Sequence, residues 1–111
     1  MAAINNKILG QALPAGTNVD LYTVGTGKEA VCSTLYVTNV TTSATTFTVW
    51  VRKAGATATD AMKLAHAVPL TANQFIPITA GITLAATDIV TVTSGVSSSV
   101  AFTLFGAEIT L

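Results

Sequence analysis

Charge is scarce in this sequence. Only 9% of its 111 residues are Asp, Glu, Lys or Arg, against roughly 25% in ordinary globular domains. Five basic residues cancel five acidic ones. Charge this sparse and balanced leaves no electrostatic footprint for DNA, RNA or anionic lipid, so neither nucleic acid nor a membrane surface is an expected partner. It also gives a free monomer little colloidal protection, which suits a subunit packed among others.

The residue types that build reactive sites are equally thin. Cys32 is the only cysteine, which excludes an internal disulfide and points to a small buried hydrophobe. One Cys and one His, His66, fall short of the several such ligands that close a zinc site. A thiol nucleophile would need those two to meet in space, and nothing in the sequence brings them together. The acids Asp20, Glu29, Asp60, Asp88 and Glu108 are far apart along the chain, unlike the paired carboxylates of acid–base catalysis. Asp88, in Ala-Thr-Asp-Ile, fits a turn residue leading into a strand.

Motif by motif, spacing fails. Gly25-Thr-Gly27-Lys28-Glu29 has the look of a phosphate loop. Tyr22 stands where the leading Gly belongs, however, and Glu29 where Ser or Thr belongs, so the stretch reads as a turn. Gly95-Val-Ser-Ser-Ser-Val lacks the second Gly of a nucleophile elbow. The sequon Asn39-Val-Thr41 reads as a chance match. No apolar run approaches the ~18–20 residues of a membrane span. The start, Met1-Ala-Ala-Ile-Asn-Asn-Lys7, has no basic region followed by a long apolar stretch, so the expectation is a protein made and used without Sec export. No catalytic residue, cofactor or metal is expected, and the chain does not read as an enzyme.

What is abundant is β-forming. Twenty Thr and twelve Val favour strands because branching at Cβ packs well on a pleated surface. Short alternating runs, separated by Gly, Ser, Thr, Asn and Asp clusters, predict eight or nine strands. The runs are 19–24, 30–40, 46–53, 61–68, 75–79, 82–85, 88–93 and 100–111. Alternation is cleanest in 46–53, with Phe47, Val49 and Val51 on one face and Trp50 and Arg52 on the other. In 30–40, Val31, Leu35 and Val37 fall on one face and Cys32, Tyr36 and Val40 on the other. Run 61–68 places Met62, Leu64, His66 and Val68 together; Pro69 and its short length favour strand over helix. Pro77 puts its strand at a sheet edge. Ala80-Gly81 separates two short strands. A β-bulge at Phe105-Gly106 would shift the phase so that Ile109 is buried.

The predicted architecture is all-β: a single antiparallel β-sandwich, jelly-roll or immunoglobulin-like, over residues 18–111. Residues 1–17 carry Gly10, Pro14 and Gly16 and show no period. They read as an extended N-terminal arm that reaches a neighbouring subunit. Candidate interface residues are Ile8, Leu9 and Leu13 in that arm, with Tyr36, Trp50 and Arg52 on the strands. An outward Trp is a usual anchor at protein interfaces.

Several segments carry a resemblance. Gly10-Gln-Ala-Leu-Pro14, Leu21-Tyr-Thr-Val24, Ala30-Val-Cys-Ser-Thr-Leu-Tyr-Val-Thr-Asn39 and Ala44-Thr-Thr-Phe-Thr-Val49 are four of them. Gly81-Ile-Thr-Leu-Ala-Ala-Thr-Asp-Ile-Val90 and Phe105-Gly-Ala-Glu-Ile109 are the others. Together they resemble small virion structural proteins of tailed bacteriophages, capsid-decorating or tail-associated. Gly25-Thr-Gly27 departs from the Pro-Ala-Gly turn expected of such proteins. The resemblance implies a virion part made in the host cytoplasm, with no catalytic residues. The reading it leads to is a capsid decoration or cement protein that stabilises the shell through subunit contacts. Its partners would be the major capsid protein or other virion proteins, and its own copies. A homotrimer is expected by analogy with the three-fold sites of capsids. The alternatives are a tail or fibre component that binds the host surface, and a carbohydrate-binding module.

Overall fold

Alternation in the sequence becomes nine strands in the computed structural model, which describes residues 3–79 and 81–111. They are β1 (Ala3–Ala12), β2 (Val19–Thr23), β3 (Lys28–Asn39), β4 (Thr45–Arg52), β5 (Lys63–Leu70), β6 (Phe75–Ile78), β7 (Ile82–Leu84), β8 (Ile89–Ser94) and β9 (Val100–Thr110). Two single 3-10 turns, Lys53–Gly55 and Asp60–Met62, lie between β4 and β5. Of the Ala80-Gly81 separator, Ala80 lies outside the described residues, as do residues 1 and 2 of the N-terminal stretch.

The strands form two antiparallel sheets. The first has the order β1-β9-β3-β6, with β7 continuing the β6 column along β3. The second has the order β2-β8-β4-β5. Pairing is nested: β1 with β9, β2 with β8, β3 with β6 and β7, β4 with β5. A long hairpin wound so that each strand meets its partner from the other half of the chain is a jelly roll. That order decides between the two sandwich types the sequence left open. Pro77 lies in the edge strand β6, as its missing N–H requires.

Between the sheets lie Leu35, Val37, Phe47, Val49, Val90, Val92, Phe102 and Leu104, all nearly solvent-free. Phe47 and Phe102 meet edge to face, centroids 6.3 Å apart. The buried Asn39 holds two turns at the sandwich end. Its Nδ2 donates to the carbonyls of Ser43 (2.8 Å) and Thr71 (3.0 Å), and its Oδ1 accepts from the Thr41 N–H (2.9 Å) and hydroxyl (2.7 Å). The Asn-x-Thr spacing thus serves a local hydrogen-bond knot, with the amide inside the protein.

Three sequence expectations change. Residues 3–12, read as part of an arm, form β1 and pair with β9 from Ala3↔Thr110 to Ala12↔Phe102. Isoleucines, Asn and a lone Lys give no clean alternation there because most of this edge strand is exposed and a bulge interrupts it at Leu9. The predicted phase slip is not in β9. Val100, Phe102, Leu104 and Glu108 all stay buried on its inward side, and Ile109 points outward beside Ile4. The slip falls on the neighbours facing Phe105-Gly106, at Leu9 in β1 and Ser33 in β3. In β3 it turns Ala30 and Cys32 inward before Ser33, and Leu35 and Val37 inward after it, so Val31 and Leu35 do not share a face. Lastly, β5 does not alternate simply: Ala65 and Val68 pack on the core, Leu64 is exposed, and Ala67 takes a left-handed φ of 45° between them.

Candidate functional site: an uncharged outer sheet face

The sheet order places the outward residues of β1, β9, β3, β6 and β7 side by side. The register sets Ile4 against Ile109, Ile8 against Phe105, Val31 against Ala107 and Tyr36 against both Thr103 and Pro77. Three aromatic rings cluster there. Tyr36 stacks with Phe75 at 6.5 Å and 24°, and meets Phe105 edge-on at 5.9 Å and 84°. These side chains are not finished core: Ile4 is 70% exposed, Phe75 60%, Ile8 52% and Tyr36 41%. A shallow open depression of about 560 Å³ beside Phe105 is lined by Ile8, Val31, Ser33 and Gly106. Asn6, Ser33, Thr34 and Thr103 are neutral polar neighbours on this face, Glu29 brings charge at the rim, and Lys7, which turns inward to Glu108, also borders the depression. A broad apolar patch framed by neutral polar groups is the surface type that marks protein docking sites.

Most of the chain's charges are engaged elsewhere. Glu108, on the inward side of β9, accepts from the Tyr22 hydroxyl (2.6 Å), Lys28 Nζ (3.1 Å) and Lys7 Nζ (3.3 Å). The Tyr22 hydroxyl first, then Lys28 and Lys7, hold its carboxyl down to about 2. Burial, then the same Glu108 contact, pushes the Tyr22 phenol above its ordinary range. This knot ties β1, β2, β9 and the start of β3 together. Lys28 reaches it from a turn closed by its own N–H on the Gly25 carbonyl (3.2 Å), with Gly27 at φ 76°. The loop-like glycine motif is therefore a turn that positions a structural lysine.

On the opposite sheet, Arg52 is fully occupied. It donates to Asp20 (3.0 Å), Thr91 (3.4 Å) and the carbonyls of Ala56 (2.7 Å) and Gly55 (3.0 Å). Trp50 is half-buried with Lys63 Nζ 5.8 Å from its ring centre. Asp88 accepts the N–H groups of Ala54 (2.8 Å) and Ala85 (2.9 Å), as a turn residue does. Cys32 is buried and burial pushes its thiol up to about 11. His66 stands exposed on the other sheet, its Nδ1 2.7 Å from Lys63 Nζ, so thiol and imidazole do not meet. Among the described residues no three of His, Cys, Asp and Glu come together as a metal site.

The structure thus separates the sequence-derived interface residues. Ile8 and Tyr36 share the apolar face. Trp50 and Arg52 lie on the opposite sheet, Leu9 packs on the core, and Leu13 is exposed in the turn after β1. Sequence reasoning missed Phe105, Phe75, Val31 and Ile4. The alternation of 100–111 could have flagged Phe105, which falls opposite in phase to Phe102 and Leu104.

Fold and face together define the class: a jelly-roll sandwich with one charge-poor outer face that carries an aromatic cluster. No protein-family model matches the chain, and no curated protein matches it in sequence. Among solved structures it is similar to a chain in the structure of infectious bursal disease virus Gx strain, at a TM-score of 0.50 and 11% identity. That match covers 97% of this chain and 31% of the viral one, so this protein spans about a third of its neighbour's length. The structure of infectious bursal disease virus Gt strain aligns over the same shares at 11% identity and a TM-score of 0.38. The likeness to the Gx strain chain bears on the fold.

Proposed function

We propose that this chain is a non-enzymatic structural protein of a virus particle, which uses the outer face of its first sheet as a docking surface. The observation that carries the reading is that face: Ile8, Val31, Tyr36 and Phe75 exposed and Phe105 half-buried on one side of the sheet, with Glu29 at the rim and Lys7, which borders the depression, paired to Glu108. The jelly-roll likeness to a chain of a virus structure and the resemblance to tailed-phage virion proteins support it. The finer reading is a decoration or cement protein on a phage capsid, bound to the major capsid protein. Its action would be mechanical, many modest apolar contacts adding up through multivalency.

Quantitative mass spectrometry of purified virions, with gold-labelled antibody to locate the chain, tests this. Hundreds of copies on the head support the decoration role. A handful at one end overturn it in favour of a tail or fibre component. Absence from virions overturns the virion reading itself.

A further inference from the structure

We infer that the partner seated on the outer face of the first sheet is a second copy of this chain, packed face to face about a two-fold axis. This rests on reading that face as a docking surface. It goes further by naming what docks there.

Charge is the first argument. A two-fold contact lays a patch on its own copy, so a patch of one sign repels itself. At the centre of this face Asn6, Ile8, Val31, Ser33, Tyr36 and Phe105 bring no charge to meet their mates, and the charge of Lys7, which borders the depression, is paired with Glu108 at 3.3 Å. The charges of the second sheet, Asp20, Arg52, Asp60 and Lys63, are on the far side, engaged with one another.

Area is the second. Four strand columns at ~4.8 Å spacing and ten residues at ~3.4 Å give a face of roughly 19 by 34 Å, or about 650 Å² in plan. The relief of the exposed aromatic and isoleucine side chains adds to that. The result is close to the ~800 Å² each partner contributes to a stable interface of standard size.

Symmetry is the third. A ring of three needs a patch and a different, complementary patch elsewhere on the surface, whereas a two-fold contact needs one patch used twice. Among the described residues the other large exposed apolar side chains lie off the strands of this sheet. Leu13, Val40 and Val96 are in turns, Leu64 is on the edge strand β5, and Leu111 follows β9. One broad neutral patch therefore fits a pair better than the trimer expected from capsid symmetry.

Sedimentation of the full chain across a concentration series tests the pair. The expected result is a two-copy mass. Tyr36→Lys and Phe105→Lys are each expected to weaken association more than ~100-fold, with circular dichroism and melting still those of a folded protein. Phe75→Lys, at a 60% exposed position on edge strand β6, gives the same reading if a central variant fails to fold. His66→Glu, exposed on the other sheet, leaves the mass unchanged. A single-copy mass at every concentration overturns the inference. So does a three-copy mass, or a pair that withstands both Tyr36→Lys and Phe75→Lys. A chain abundant in virions yet single in solution overturns the pair and leaves the virion role standing. A pair in solution that is missing from virions does the reverse.

Discussion

Glu108 occupies an inward position of β9, where Val100, Phe102 and Leu104 precede it on the same side. A buried carboxylate persists only when hydrogen bonds and opposite charge replace the water it lost. Tyr22, Lys28 and Lys7 supply them. The folded carboxyl titrates down at about 2, whereas an unfolded Glu titrates near ~4.3. The charged form therefore contributes stability that is complete above that unfolded value and is lost as pH falls through the folded one. Melts between pH 7 and pH 2 are expected to show this loss in the wild type and a shallower fall in Glu108→Gln, which has no proton to take up. Tyr22→Phe removes the largest cause of the shift. It is expected to raise the Glu108 midpoint, read by carboxyl NMR. Leaving the carboxylate one partner short is expected to cost about 1.5–3 kcal/mol, read by urea unfolding.

At the scale of elements, bulges and glycines decide how the strands meet. A Cβ on Gly106 would collide with the Val31 carbonyl oxygen and lie 2.9 Å from Cys32 Cα, next to the Ser33 bulge. Gly106→Ala must therefore push β3 from β9 and is expected to destabilise by about 1–3 kcal/mol, seen as a lower urea midpoint. Gly10 plays the same part where β1 passes the Leu21 carbonyl of β2. The first strand is a larger matter. Deleting residues 2–17 strips β9 of a partner along nearly its whole length, removes Lys7 from Glu108, and uncovers core packed by Leu9, Ala12 and the buried Pro14. The expected outcome is loss of the cooperative transition in calorimetry. A truncated chain that melts like the intact one would show that β1 is dispensable.

For the whole molecule, the distribution of charge matters more than its total. Ten charged side chains are spent largely on holding strands and turns together, and one outer face is left neutral. Association through such a face gains from water release and owes little to Coulomb attraction, so screening has little to act on. Raising sodium chloride from ~0.05 to ~1 M is therefore expected to leave self-association unweakened, and sulfate to strengthen it, both read by sedimentation. Association that melts away in high salt would assign the contact to the charged second sheet instead.

Local chemistry made much of this legible in the residue order. Period-two alternation, Thr and Val abundance and turn residues placed every strand from 19 onward to within a few residues, because those signals act between near neighbours. The Gly25–Lys28 turn, the Asp88 turn and the edge position of Pro77 were legible for the same reason. Other features depend on residues distant in sequence. Whether β1 belongs to the sheet depends on β9, about a hundred residues away. The inward Glu108 reads as an error in pattern until Tyr22, Lys7 and Lys28 are seen around it. Tyr36, Phe75 and Phe105 become one surface only because the jelly-roll order lays β3 between β6 and β9. Residue order alone implies an all-β sandwich with sparse charge. Which sandwich forms, and which face stays apolar, follow from strand order, which long-range pairing sets and no local pattern encodes.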